Sequence, residues 1–145
     1  MQTFLPYSDF TASAQVLDDK RLGKQRVEAK QIILALTLPE YGWKHHPATK
    51  LWEGKVHDLA CYGIIVCREW KRRGFQDSLE SFFQDYTDPD VDFTTGRYCG
   101  WQLHESHQAN LVWKDYWHYS HRFPLFSNLT EKPEYFWTDT EEANV

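Results

Sequence analysis

The sequence predicts an all-α fold from three features of the chain. Apolar residues recur at spacings of three and four along most of its length, each such run follows a short polar residue able to cap a helix, and no apolar/polar alternation persists long enough for a strand. A chain of 145 residues can bury one core and is too short to divide into two. The expectation is a compact single-domain helical bundle over residues 1–130, with long aromatic loops, followed by an acidic, flexible tail over 131–145.

Ser8 or Asp9 can cap a short helix running to about Val16. Asp18 or Asp19 can cap the next, LDDKRLGKQRVEAKQIILAL over 17–36, which Pro39 and Gly42 end. His46-Pro47 opens what reads as the longest helix, to about Arg73. There Trp52, Val56, Leu59, Gly63, Val66 and Trp70 keep helical spacing, and Gly74 stops it behind Arg72 and Arg73. Ser78 to about Tyr86 reads as a short amphipathic helix, and residues 87–101, rich in Asp, Gly and Thr, as a loop. A last helix spans about Leu103 to Trp113, before an aromatic stretch.

Charge is unevenly spread. The net value is −5, yet residues 20–73 hold twelve lysines and arginines against five acids, while 74–145 hold four against thirteen. A segment at +7 can attract phosphates while the acidic remainder limits indiscriminate adhesion. Cys61, Cys67 and Cys99 lack CxxC spacing, which argues against a disulfide framework and a thiolate zinc site. The opening MQTFLPYSDF has neither the basic start nor the apolar stretch of a signal peptide, and no run is long enough to span a bilayer, so a cytoplasmic protein with no membrane partner is expected.

Two helices carry the candidate chemistry. In the first, Leu22, Arg26, Ala29, Ile33 and Leu36 share one stripe, which turns an arginine toward the core side; Arg21, Gln25 and Glu28 form the adjacent stripe. An arginine so placed needs a carboxylate, carbonyl or phosphate partner, supplied by an internal ion pair or by a ligand. In the last helix, His104, His107, Asn110 and Lys114 share a polar face that suits a phosphate or a base edge. A zinc site built on His104 and His107 with His46 or His57 lacks an acid at metalloprotease spacing, and no metal or other cofactor is expected. Seven tryptophans, eight tyrosines and nine phenylalanines mostly fill the core, though those beside Arg or His could stack on bases.

The blocks RLGKQRVEA, REWKRRGF and HESHQANLVWKD, the last followed by aromatics, resemble in this order the pyrimidine-dimer DNA glycosylases of the endonuclease V type, small all-helical enzymes of phages and bacteria. The likeness covers about residues 1–120. It implies that an N-terminal α-amine attacks C1′ of a damaged nucleotide, forming a Schiff base, releasing the base and permitting β-elimination, with a glutamate assisting and arginines holding phosphates. An α-amine titrates near 8, so a usable fraction is neutral at pH 7, unlike a lysine near 10.4. Gln2 disfavours removal of the initiator, so the amine implied is that of Met1. Glu28 is the implied carboxylate, here in the order Arg26-Val27-Glu28, whereas the family's glutamate directly follows an arginine. On this reading Arg26 and Glu28 both face a cleft that admits DNA.

The expected partner is a damaged or modified DNA duplex, bound by a monomer through Arg21, Lys24, Gln25, Arg26, His46, His104, His107, Asn110 and Lys114. The last helix is expected to lie against the basic one and to complete the same cleft. Two other readings stay open: an N-glycosidase acting on a modified nucleobase or nucleotide, and a non-catalytic DNA-binding module on the same fold.

Overall fold

A computed structural model describes residues 1–87 and 100–137. Seven α-helices and no strands occur among them: α1 (Phe10–Val16), α2 (Asp19–Thr37), α3 (Pro47–Leu51), α4 (Val56–Arg72), α5 (Glu80–Gln84), α6 (Trp101–Lys114) and α7 (Tyr116–Tyr119), followed by a 3-10 turn at Pro124–Phe126. The expectation of an all-α protein is met. Cys99 and Tyr98, and most of the predicted 87–101 loop, lie outside the described residues, as does the end of the acidic tail beyond 137.

The caps act as the sequence implies. The Asp9 carboxylate accepts the Thr11 and Ala12 N–H groups to start α1, and that of Asp18 accepts the Arg21 N–H to start α2. The predicted long helix over 47–73 is instead two, α3 and α4. Gly54 breaks it with φ of 73°, a conformation that costs glycine little and a side chain more. The break swings Trp52 into the core, where it is fully buried.

α4 is the central element, buried without interruption from Leu59 to Cys67. α2 and α1 pack against it, and α5 closes over its other face. A Cβ at Gly63 would lie 2.5 Å from the Phe83 ring, so only glycine lets α5 seat this close. At its C-terminal end, Arg72 and Arg73 both bond the buried Glu69 carboxylate, and Arg73 also reaches Asp19 and the last carbonyls of α1. Packing does not stop at residue 130: Tyr135, Phe136 and Trp137 lie against the core.

Arg26 has its partner inside the protein. Its Nη1 lies 2.6 Å from Asp77 Oδ1, and its guanidinium rests 4.8 Å from the centre of the Trp70 ring. Burial opposes the charged form of Asp77, but the N–H groups of Glu80 and Leu79, Arg26 and the Cys67 thiol outweigh it and hold the carboxyl below its ordinary value. Removing one member of such a pair strands the other. Asp77→Asn is expected to cost about 3 kcal/mol in urea-induced unfolding while leaving the Glu28 face of α2 intact. A loss below about 0.5 kcal/mol would mean the pair is worth no more than a surface bridge.

Candidate active site

The first seven residues form an extended segment held almost entirely by side chains. Phe4 N–H donates to Gln25 Oε1 (2.8 Å), Leu5 N–H to His107 Nδ1 (2.8 Å) and Trp52 Nε1–H to Thr3 Oγ1 (2.9 Å). His104 Nδ1 donates to the Leu5 carbonyl at 2.7 Å, and Gln108 Nε2 to that of Pro6 at 2.7 Å. The segment therefore lies between α2 and α6, where the sequence predicts the two helices to meet directly.

Most of the α6 face expected to line the cleft is engaged within the protein instead. His104, His107 and Asn110 are buried, line no substrate cavity, and grip the protein's own backbone: the two imidazoles clamp Leu5, and Asn110 Nδ2 returns to the Ser106 carbonyl. From sequence alone, polar residues that satisfy a buried backbone look the same as polar residues awaiting a ligand. Arg26, held by Asp77 and Trp70, does not line this cavity either; it lines a neighbouring groove with Lys20, Lys24 and Glu28. Of the expected α6 residues, only Lys114 reaches the site.

The site is a cavity of about 420 Å³ whose floor is the N-terminal segment and whose longest wall is α2. Met1, Gln25, Glu28, Arg21, Lys24, His46 and Lys114 all line it, as expected of a common cleft. Asp18 fixes the start of α2 and with it the direction of this face. Its carboxylate accepts from the Tyr119 hydroxyl and lies 3.2 Å from Arg21 Nη1; although burial works against it, these bonds keep Asp18 below its ordinary value. Glu28 Oε2 accepts the Gln2 N–H at 3.0 Å and faces Gln25 Nε2 at 3.4 Å, which leaves Oε1 to the cavity. His46 Nδ1 accepts the Ala48 N–H at the start of α3 (3.0 Å). Burial, and then the charge of the terminal amine, push His46 below its ordinary value.

Glu28 is the one acid in a wall of cations. Lys20, Lys24 and Lys114 enter no ion pair among the described residues. Burial, helped by Arg21, Lys132 and Lys24, lowers Lys114 from its ordinary value, with Glu28 acting the other way. Such a surface is built for phosphate. Neutralising Lys24 as Lys24→Gln should weaken duplex binding across sequences and lower the slope of log K against log[salt] by about one. A slope equal to that of the unaltered protein would take Lys24 off the interface.

Five lining residues were not among those expected: Gln2 and Phe4 of the floor, Lys20, Tyr135 and Trp137. Lys20 was legible, since it stands four residues before Lys24 and eight before Glu28 on one helix face. Tyr135 and Trp137 had no such signal, lying in what reads as an acidic tail. Their rings meet at 5.4 Å, Trp137 meets His46 edge-on at 6.0 Å, and burial raises the Tyr135 phenol to about 12.

The buried His107 gives the fold a pH dependence. Its Nδ1 must stay unprotonated to accept from Leu5, and burial, then the nearby His104, lowers it to about 3. The unfolded imidazole takes up its proton near 6.5. Between these values the unfolded chain binds the extra proton, so stability falls as pH drops below 6.5. Urea unfolding should show about 2 kcal/mol less stability at pH 5 than at pH 7.5 from this group, and His107→Asn, whose Oδ1 can accept the same N–H, should flatten the slope. An unchanged slope in His107→Asn would assign the dependence to other groups.

The family model described as pyrimidine dimer DNA glycosylase matches residues 1–82, more than half of the chain. The chain belongs to the pyrimidine dimer DNA glycosylase family. Membership makes DNA the substrate and glycosylase-type chemistry the class of activity. The span that matches this glycosylase family holds Met1, the basic face of α2, Glu28 and His46, whereas Lys114, Tyr135 and Trp137 lie outside it. No curated protein and no solved structure matches the chain significantly. No helix among the described residues is long and apolar enough to cross a membrane.

Proposed function

We propose that this member of the family excises a damaged pyrimidine from duplex DNA by attack of the Met1 α-amine at C1′, with Glu28 as the assisting carboxylate, and goes on to nick the strand as an AP lyase. The observation that carries the reading is the 3.0 Å bond from the Gln2 N–H to Glu28 inside a cation-lined cavity. One residue separates that nitrogen from the terminal amine, so nucleophile and carboxylate belong to one site.

The amine nitrogen forms a bond to C1′ as the C1′–N1 bond breaks, and the base leaves with that electron pair and gains a proton. Glu28 stabilises the positive charge that develops on the sugar. Loss of the amine proton and cleavage of C1′–O4′, with O4′ taking a proton, give the imine. Glu28 Oε1, the oxygen left to the cavity, then removes a C2′ proton, the C3′–O bond breaks, and the 3′ phosphate departs. Water hydrolyses the imine and frees the enzyme. Lys20, Arg21, Lys24 and Lys114 hold the flanking phosphates.

Duplexes that each carry one defined lesion test the proposal. A nick at a pyrimidine dimer, together with a broken glycosyl bond whose base comes free once light reverses the link to its neighbour, supports it. Release without a nick would replace the amine by water as nucleophile. Salt-dependent binding with no release from any lesion would favour the non-catalytic module, and release only from free nucleosides would favour the nucleotide N-glycosidase.

A further inference from the structure

Behind the cavity wall, Gln25 is almost wholly buried and uses both ends of its amide. Its Oε1 accepts the Phe4 N–H (2.8 Å) and the hydroxyl of Tyr62 on α4 (2.9 Å), and its Nε2 faces Glu28 Oε2 at 3.4 Å. The opposite flip would set Nε2 against two donors, so the network fixes the amide's orientation. Tyr62 is fully buried, and its hydroxyl also donates to the Phe4 carbonyl at 2.8 Å. Burial, and then the charge of Glu28, keep that phenol protonated, and its one hydrogen is shared between two acceptors, the Phe4 carbonyl and Gln25 Oε1. One side chain thus ties the segment that carries Met1 to the carboxylate that faces it, and a hydroxyl on a second helix holds that side chain in place.

We propose that Gln25 and Tyr62 are positioning residues of the glycosylase reaction: the Tyr62 hydroxyl locks the Gln25 amide, and the locked amide sets the separation and orientation of the terminal amine and Glu28. The inference rests on the reading of Met1 and Glu28 given above. Without the hydroxyl Gln25 Oε1 keeps only the Phe4 N–H, the amide is held less firmly against Glu28, and the Phe4 carbonyl loses its donor. The fold keeps its packing, because the Tyr62 ring contacts with Phe10 (5.5 Å) and Trp52 (6.2 Å) do not involve the oxygen.

The test compares Tyr62→Phe with Thr3→Val. The second variant removes one bond to the N-terminal segment, that from Trp52, and leaves those of Gln2 and Phe4 to Glu28, Gln25 and Tyr62 in place. Single-turnover excision from a dimer-bearing duplex is followed from pH 4.5 to 8, alongside DNA affinity and thermal unfolding. A misplacement of about 1 Å costs roughly 10²-fold in rate, so Tyr62→Phe should lose about tenfold to 10²-fold at unchanged affinity. Its acid limb should move to higher pH, because a carboxylate whose donor is held less firmly protonates more readily. The charges that face Glu28, from Lys20, Arg21, Lys24, His46, Lys114 and the amine, are the same in both proteins. Thr3→Val should lose stability and keep the rate and profile. Gln25→Glu, which preserves shape but sets a second carboxylate against Glu28, should move the acid limb in the same direction and serves alone if Tyr62→Phe does not fold. A native rate and profile in Tyr62→Phe, parallel rate losses in Tyr62→Phe and Thr3→Val, or an unmoved limb in Gln25→Glu would each overturn the positioning role while wild-type excision stands. A wild-type protein that excises nothing would overturn the functional reading and this inference with it.

Discussion

Glu28→Gln is expected to fold as the parent does and to lose roughly 10²-fold or more of its excision rate. The fold should survive because Glu28 enters no ion pair among the described residues and an amide oxygen can still accept the Gln2 N–H. Chemistry should not survive, because the replaced group is the one acid that lines a cavity of cations. A neutral amide cannot offset the positive charge developing at C1′ and cannot remove a proton from C2′. DNA affinity should hold or rise, since repulsion between the carboxylate and phosphate is gone. Equal rates for Glu28→Gln and the parent, measured in single turnover, would remove Glu28 from the reaction.

The second large effect concerns the amine. Borohydride added during reaction with substrate DNA should trap a covalent adduct that peptide mapping places on Met1. Reductive dimethylation confined to the α-amine should abolish both trapping and nicking, since a tertiary amine cannot form an imine. An adduct on Lys114 would move the nucleophile to a side chain that burial, helped by its cationic neighbours, shifts toward its neutral form, and one on Lys20 or Lys24 would move it to the face of α2. Base release with no adduct would assign the attack to water.

Much of this arrangement could be read before the coordinates. Helix starts were legible because Asp9 and Asp18 announce them, and the basic face of α2 because charge segregation is a property of sequence alone. What escaped did so for physical reasons. The interruption of the long helix at Gly54 was masked by apolar spacing that continues across the break. Arg26 and Arg21 sit on the same helix with similar neighbours, yet the first is claimed by Asp77 from 51 positions away, a pairing that no local pattern encodes. His104, His107 and Asn110 read as ligand-facing because buried polarity is ambiguous until its partner is known, and the partner of the two histidines was the backbone of Leu5. Tyr135 and Trp137 reach the cavity through the return of the chain after α7, which spacing does not foretell.

The way Leu5 is clamped also orders events during synthesis. Its amide and carbonyl are claimed by residues that follow it by 102 and 99 positions. At roughly 5–20 residues per second, a ribosome takes on the order of 5–20 s to make the intervening chain. Through that interval α1, α2 and α4 are available to fold while the first residues have no α6 to hold them. The terminus is the first part made, and its bonds at Leu5 and Pro6 are completed only near the end of the chain. An unfinished chain can therefore seat residues 2–4 on α2, Trp52 and α4, yet it leaves Leu5 without either histidine partner until α6 is translated.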